Sequence, residues 1–293
     1  MKLNLPANLL RNINRLVSYT ILNNWMPIII QRGVLNLLGG FAPIPNGLIC
    51  KKIEMGLTKG RNFTPKETSD SVILYFHGGG YAIGSSRSHR DLCSHLSDYA
   101  SAELISVDYR RAPENPYPTA LEDFESAYQW LLGNYPEHKI ILAGDSAGAG
   151  IVVNGLQKIC GKVKNTPVAL YLISPWLDIE KNYSHTDWKK SKDPLLKPQW
   201  LHRLAKLYMA GNKTANPLEQ SFEQFPRTLI QAGEQEILLK DSQQLFAKLE
   251  ADGVDVDLHI EEQLWHVHQF NPSLSKAARS SLERSADFIK ALN

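Results

Sequence analysis

Short apolar runs alternate with amphipathic stretches from about residue 70 onward. The apolar runs have the length and composition of strands buried on both faces; they cover residues 72–76, 104–107, 140–143, 168–173, 228–231 and 254–260. Helical spacing of apolar residues covers 88–100, 121–131, 147–160, 241–252 and 274–291. This alternation predicts an α/β fold with a mostly parallel central sheet flanked by helices.

Two segments do not follow the alternation. Residues 7–40 are amphipathic, with a single apolar stripe formed by Leu9, Leu10, Ile13, Leu16 and Val17. Residues 178–222 contain many charges and no strand pattern. We expect both to lie over the sheet as a helical cap, in which Trp25, Trp188 and Trp200 are interpreted as buried aromatic residues, with the lining of a pocket as the alternative. The predicted division is an N-terminal cap segment (1–45), an α/β core (46–177 and 223–293) and a cap insert (178–222).

Composition excludes several classes of protein. The 293 residues carry 32 Lys and Arg against 30 Asp and Glu, a net charge of +2, so nucleic acid is not an expected partner. The apolar runs are far shorter than the roughly 18 residues of a membrane-spanning helix, and no membrane insertion is expected. Cys50, Cys93 and Cys160 are widely spaced, and Met1–Pro6 do not resemble a secretory signal. A cytoplasmic location is therefore the expectation.

The segment Gly144-Asp145-Ser146-Ala147-Gly148 lies between the third apolar run and a helical stretch. Glycines two residues before and after a serine permit the sharp strand-to-helix turn that lifts a nucleophile out of a sheet. The N-terminus of the following helix directs N–H groups at the same point and favours negative charge there. The pattern predicts a nucleophilic serine supported by the residues around it.

A second glycine motif, His77-Gly78-Gly79-Gly80, directly follows the first apolar run. Three residues without a Cβ allow several backbone N–H groups to converge on one point. Fixed donors of this kind stabilise a developing oxyanion. The alternative interpretation is an ordinary glycine-rich turn.

Further motifs accompany these two: Asp108-Tyr109-Arg110-Arg111-Ala112-Pro113-Glu114, Ser174-Pro175-Trp176, Asp193-Pro194 and Trp265-His266-Val267. From about residue 50 to the C-terminal end, the chain resembles the hormone-sensitive-lipase-like esterases, the bacterial family IV branch of the α/β-hydrolases. The resemblance implies a capped α/β-hydrolase fold, no metal or other cofactor, and hydrolysis of short- to medium-chain acyl esters.

Carried over position by position, the resemblance implies that Ser146 is the nucleophile. It implies that the N–H groups of Gly79, Gly80 and Ala147 form the oxyanion hole. His77, Gly78, Gly144, Asp145 and Gly148 then support the two turns. In this resemblance His77 is structural rather than a proton carrier.

The catalytic base and acid follow the nucleophile in chain order in this fold. His266, directly after Trp265, fits the base, with His268 as its close rival. The two histidines could also be a pair of metal ligands, but no third ligand is found at a matching spacing, so no metal is expected.

The acid departs from the family pattern, because the segment after the fifth apolar run reads Glu234-Gln235-Glu236-Ile237-Leu238-Leu239-Lys240-Asp241. A subset of the family has Glu followed by an apolar residue and Leu-Leu, which Glu236 matches. A glutamate can orient and stabilise an imidazolium as an aspartate does. Glu234 and Asp241 remain alternatives, and Asp241 is interpreted as the N-cap of the next helix.

The sequence therefore predicts a serine carboxylesterase with a Ser-His-Glu triad and a small-molecule ester substrate. A non-catalytic receptor on the same fold, an amidase and a lipase remain alternatives. The presence of His266 argues against the receptor, and the charges in residues 178–222 favour a soluble substrate over a lipid interface. The run 254–260 is expected at the edge of the sheet, where it could pair in a homodimer.

Overall fold

The computed structural model describes residues 3–161, 165–180, 191–213 and 216–292. Eight strands form one sheet in the order β1-β2-β4-β3-β5-β6-β7-β8. Their bounds are β1 Ile49–Met55, β2 Thr58–Thr64, β3 Ser71–Phe76, β4 Glu103–Asp108, β5 Lys139–Asp145, β6 Ala169–Ile173, β7 Arg227–Gly233 and β8 Val256–Glu261. Strands β3 to β8 pair in parallel. The predicted α/β fold is confirmed, and each predicted strand lies within two residues of an observed one.

The sequence pattern missed the hairpin of β1 and β2. These strands pair antiparallel with each other, and β2 pairs antiparallel with β4. Their apolar positions are few: in β1 only Met55 is buried, and charged residues such as Lys51 and Lys52 occupy exposed positions. A strand at the edge of a sheet needs little apolar surface, so its hydrophobic pattern is weak.

The parallel strands are buried on both faces, and alternate residues enter two cores. In β3, Ile73 and Tyr75 lie in one core, while Leu74 and Phe76 lie in the other, as expected for side chains that alternate across a strand. Helices α3 (Arg90–Ala100) and α8 (Lys276–Lys290) cover the first face. Helices α4 (Thr119–Asn134), α5 (Ala147–Ile159) and α7 (Leu239–Ala251) cover the second.

The N-terminal segment forms two helices rather than one continuous stretch, α1 (Ala7–Thr20) and α2 (Ile28–Gly40). The turn between them is held by the Asn23 side chain, which accepts hydrogen bonds from the N–H groups of Trp25 and Met26. Pro27 is the N-cap of α2, which begins at Ile28. In α1 the predicted apolar stripe is only partly buried: Leu10 is buried, but Leu16 is exposed.

The cap insert contributes α6 (Pro198–Met209), which contacts the N-terminal helices. Trp200 Nε1 donates to Gln31 Oε1 at 3.2 Å, and Arg203 donates to the carbonyl oxygens of Asn23 and Met26. We propose that α1, α2 and α6 act together as the cap, with the domain limits expected from the sequence.

The tryptophan residues of the cap differ from one another. Trp200 is buried as expected, whereas Trp25 is 70% exposed, contrary to the sequence interpretation. Trp188 lies outside the described residues. None of the helices described above is long and apolar enough to cross a membrane.

Candidate active site

Ser146 lies at a sharp turn between β5 and α5. Its φ of 52° and ψ of −119° are strained for a residue with a side chain. Two close backbone approaches make the turn possible: a Cβ on Gly144 would lie 2.7 Å from the Gly148 carbonyl carbon, and one on Gly148 would lie 1.9 Å from the Phe76 oxygen. The Ser146 N–H donates to the Ile173 carbonyl at 2.8 Å and so fixes the turn against β6.

The glycine motif after β3 forms a loop beside this serine. Gly79 and Gly80 have φ values of 113° and 58°, in a region that favours glycine. Within the described ranges, no hydrogen bond takes up the N–H groups of Gly79, Gly80 or Ala147. A Cβ on Gly80 would lie 2.3 Å from Leu204 Cδ1 of α6, so the cap packs directly on this loop.

Asp145 connects the two motifs. Its Oδ1 accepts hydrogen bonds from the Gly78 N–H and from the Tyr75 hydroxyl, both at 2.8 Å. Its Oδ2 lies 3.3 Å from His89 Nε2. Burial raises the pKa of Asp145, but His89 and these hydrogen bonds outweigh burial and hold it below its ordinary value. A charged carboxylate therefore fixes the glycine loop, a role that spacing alone did not assign.

His77 is held in a structural environment. Its ring stacks on Tyr109 at 4.4 Å between centroids, and the Tyr109 hydroxyl donates to the His77 carbonyl at 3.0 Å. Its Nδ1 lies 2.8 Å from the Gly78 oxygen. Burial, with the neighbouring His89, lowers the pKa of His77 well below the ordinary value. These contacts are those of a loop support.

His266 and Glu236 meet at the carboxyl end of the sheet, after β8 and β7. Their Nδ1 and Oε2 atoms are 3.7 Å apart, an ion-pair distance, and both side chains are buried. Burial lowers the pKa of His266, but the carboxylates of Glu236, Asp193 and Asp145 outweigh burial and raise it above the ordinary value. The pair can therefore stabilise an imidazolium.

The raised pKa of His266 has a consequence for the pH profile. A general base must be neutral, so activity falls as the pH decreases through that pKa. We expect the acid limb of kcat/KM to have its midpoint above about 6.5, the ordinary value for histidine. A pH–rate series with a neutral ester measures it. A midpoint below that value would contradict the conclusion that nearby carboxylates raise the pKa of His266.

Ser174, directly after β6, joins the two loops that carry this pair. Its hydroxyl donates to Glu236 Oε2 at 2.6 Å and accepts from the Val267 N–H at 3.1 Å. The Gly233 N–H also donates to the same carboxylate oxygen, at 3.2 Å. The only sequence signal for Ser174 was its place in the Ser174-Pro175-Trp176 motif, because a contact between two loops has no local pattern.

We expect Ser174→Ala to lower kcat by about ten- to a hundredfold with little change in KM. The substitution leaves the Val267 N–H unpaired, at a cost of about 1–3 kcal/mol, and frees the loop that holds His266. Steady-state kinetics on a soluble ester measure the split between kcat and KM. Ser285→Ala is the matched control, because Ser285 is equally buried and its hydroxyl donates to the Ser281 carbonyl of its own helix. An equal loss in both variants would contradict a positioning role for Ser174.

The rival residues have other partners. Glu234 is exposed and accepts from the Gln263 N–H at 2.8 Å. Asp241 does not cap α7, whose N-cap is Leu238; its carboxylate accepts from the Leu177 N–H at 3.0 Å. The N–H groups in the loop after β6 need a hydrogen-bond acceptor, and the Asp241 carboxylate provides it. His268 Nε2 lies 2.9 Å from Ser281 Oγ, and burial lowers the pKa of His268 to about 3.

Asp193 is a further carboxylate near His266 that sequence reasoning gave no role. Its Oδ1 accepts from the Leu195 and Leu196 N–H groups, and its Oδ2 from the Ile237 N–H. Its charge contributes to the raised pKa of His266. Asp193 therefore connects the cap insert to the loop that carries Glu236. The sequence had marked it only through the Asp193-Pro194 motif.

One cavity joins the groups described above. It has a volume of about 730 Å³ and is lined by Ser146, His266, Gly79 and Gly80, within the range of small-molecule sites. Apolar cap residues complete its wall, among them Leu195, Leu196, Trp200, Leu201 and Leu204. In the described part of the chain, His, Cys, Asp and Glu side chains form no group of three that could hold a metal ion.

Known proteins resemble the chain over most of its length. A family model described as an α/β-hydrolase fold matches residues 73–270. An acetyl-hydrolase of Streptomyces hygroscopicus is 37% identical over 233 residues, which cover 77% of each chain. An esterase of Acinetobacter venetianus is 29% identical and covers 89% of this chain and 88% of its own.

Solved structures agree with these relatives. A hormone-sensitive lipase from a metagenome library superposes with a TM-score of 0.92 at 29% identity, covering 99% of both chains. An esterase from the bacterial hormone-sensitive lipase family gives a TM-score of 0.89 at 29% identity, covering 97% of both chains. Together with the fold and the cavity, these similarities show that the chain belongs to the α/β-hydrolases and is a carboxylic-ester hydrolase of the hormone-sensitive lipase family.

Proposed function

We propose that the protein hydrolyses short- to medium-chain acyl esters through a Ser146–His266–Glu236 triad and an acyl-enzyme intermediate. The observation that carries the proposal is the cavity wall, which Ser146, His266, Gly79 and Gly80 line together, while no hydrogen bond among the described residues takes up the N–H groups of the two glycines. A nucleophile, a base and fixed oxyanion donors around one cavity are the requirements of acyl transfer.

In the proposed reaction, His266 accepts the proton of the Ser146 hydroxyl as its oxygen attacks the ester carbonyl. The carbonyl oxygen gains the electron pair, and the N–H groups of Gly79, Gly80 and Ala147 stabilise the resulting oxyanion. His266 then donates its proton to the leaving alcohol. Water repeats the sequence on the acyl-enzyme, with His266 as base, and releases the acid.

Glu236 contributes the negative charge that favours the imidazolium form of His266. The 3.7 Å separation of Nδ1 and Oε2 is longer than a hydrogen bond, as is common in the absence of substrate. Asp145 directly precedes Ser146, and the hydrogen bonds that it accepts from Gly78 and Tyr75 give it a positioning role.

The composition of the cavity supports an uncharged acyl group as the ligand. Leu201 and Leu204 of α6 face it together with Leu10 and Leu35 of the N-terminal helices. Because no cofactor chemistry is needed for this reaction, the residues named above suffice.

Labelling with a fluorophosphonate tests the proposal. We expect one adduct per chain by intact mass, located on Ser146 by peptide mapping, and complete loss of p-nitrophenyl butyrate hydrolysis. The Ser146→Ala variant should take up no label. Labelling at another residue, or activity that survives stoichiometric labelling, would contradict the triad.

Three finer expectations stay predictions. Strand β8 is an edge of the sheet, and its Ile260 side chain is 39% exposed, which supports pairing of two copies through this edge. A cytoplasmic location and a role in lipid metabolism are likewise proposed and not tested by the fold.

A further inference from the structure

The N-terminal helices present an unusual apolar surface. On α1, Leu9, Ile13 and Leu16 are each at least 40% exposed, and on α2 and its C-cap, Ile30, Leu37 and Phe41 are between 46 and 80% exposed. We call these six residues the apolar face. Clustered exposure of large apolar side chains on a folded protein marks an interaction surface.

Helical geometry places each set of three along one line. In α1 the residues are spaced by four and three, and in α2 by seven and four, so each set falls on one side of its helix. The neighbouring flank of the same α1 stripe, formed by Leu10 and Val17, packs against the molecule. The exposed side is therefore a second apolar flank with no partner among the described residues.

The N-terminal helices themselves contribute only positive charge, although Arg32 forms an ion pair with Glu114 at 2.7 Å. The chain contains no Asp or Glu before Glu54, whereas Arg11, Arg15 and Arg32 lie in α1 and α2. Arg15 is exposed, and Lys197, at the start of α6, lies 3.4 Å above the ring of Tyr19. An apolar helix flank bordered by cations is the composition that binds in the plane of an anionic lipid interface.

The apolar face is continuous with the catalytic cavity. Four residues are exposed and also line the cavity: Leu3, Ile13, Leu38 and Phe41. Ser146 and His266 line the same space. Most residues that line the cavity are apolar, so a hydrocarbon chain can extend along its wall from the apolar face toward the nucleophile.

We propose that the apolar face docks on the surface of an anionic lipid bilayer, from which the cavity takes the acyl chain of an ester lipid. This rests on the proposed esterase function and names its substrate class. The charges of residues 178–222 had favoured a soluble substrate, but the relevant surface is supplied by the other cap segment. A second copy of the chain fits the same face less well, because it would bring together two copies of α1, which carries Arg11 and Arg15 and no carboxylate.

Vesicle co-sedimentation of the Ser146→Ala protein tests docking without hydrolysis. We expect binding to vesicles of phosphatidylcholine with phosphatidylglycerol, weaker binding to phosphatidylcholine alone, and release by salt. The variant Leu16→Ser/Ile30→Ser/Leu37→Ser, at positions that do not line the cavity, should lose at least about tenfold in partitioning. Arg15→Gln should lose about fivefold on the anionic vesicles alone.

Leu57→Ser is the matched control. Leu57 is 68% exposed in the turn between β1 and β2 and does not line the cavity, so its variant should bind vesicles as the parent does. Hydrolysis of monomeric p-nitrophenyl butyrate by the triple variant with Ser146 intact should be unchanged, whereas hydrolysis of vesicle-borne ester lipid should fall.

The outcomes separate the two proposals. Vesicle binding without butyrate hydrolysis by the wild type would overturn the triad and leave docking in place. No vesicle binding, or binding equally strong in the triple variant, would overturn docking. A dimer in light scattering that the triple variant abolishes, without vesicle binding, would assign the face to a second copy of the chain.

Discussion

Glu236→Gln is expected to lower kcat on p-nitrophenyl butyrate by about 10³–10⁴-fold. The amide oxygen can still accept the hydrogen bonds that Ser174 Oγ and the Gly233 N–H donate to Glu236 Oε2, so the loops should keep their positions. What disappears is the negative charge 3.7 Å from His266 Nδ1. Without that charge the imidazolium formed during acylation is destabilised, and the acid limb of the pH profile moves to lower pH. Steady-state kinetics across pH measure both effects.

Three control variants separate Glu236 from its neighbours. Glu234→Gln should remain within about twofold of wild type, because Glu234 is exposed and bonded to Gln263. Asp241→Asn should act on stability more than on kcat, since its carboxylate holds the loop after β6. Asp193→Asn should produce a smaller loss than Glu236→Gln, because its oxygens accept backbone N–H groups rather than facing His266. Near-wild-type activity in Glu236→Gln would transfer the role of the acid to whichever control variant loses activity.

The parallel part of the fold was predictable because its strands are buried on both faces. Runs such as 140–143 then consist almost entirely of apolar residues, and helices between them carry a clear period. The hairpin of β1 and β2 was not predictable on this basis, since residues such as Lys51 and Lys52 stand at exposed positions. The exposure of one flank of α1 was not predictable for a related reason: periodicity identifies an apolar face but not what covers it.

The candidate site was predictable where chemistry depends on local backbone geometry. Two glycine motifs mark Ser146 and the loop of Gly79 and Gly80, because only glycine tolerates those close approaches. Contacts between distant loops leave no such mark. Ser174 and Asp145 connect loops that are far apart in the sequence. Such a hydrogen bond requires one residue at one position and produces no sequence pattern around it.

Gly148→Ala is expected to destabilise the fold by at least about 3 kcal/mol. The variant is also expected to lose most of its esterase activity. An added Cβ would lie 1.9 Å from the Phe76 oxygen, 2.5 Å from the Phe76 carbonyl carbon and 2.7 Å from the His77 oxygen. All three atoms belong to the backbone, so no side-chain rotation relieves the clash. The N-terminal turn of α5 must move away from β3, and the Ala147 N–H then separates from those of Gly79 and Gly80.

Thermal unfolding and butyrate hydrolysis, measured on Gly148→Ala beside Gly133→Ala, check this prediction. Gly133 lies exposed in α4, and no atom lies within 4 Å of its added Cβ, so the control should be neutral or gain up to about 1 kcal/mol from helix propensity. The contrast isolates the close approach from the general effect of replacing glycine in a helix. If Gly148→Ala unfolds at the wild-type temperature and retains full activity, α5 can shift without disturbing the oxyanion donors. The rigid contact between the serine turn and β3 would then not be a requirement of catalysis.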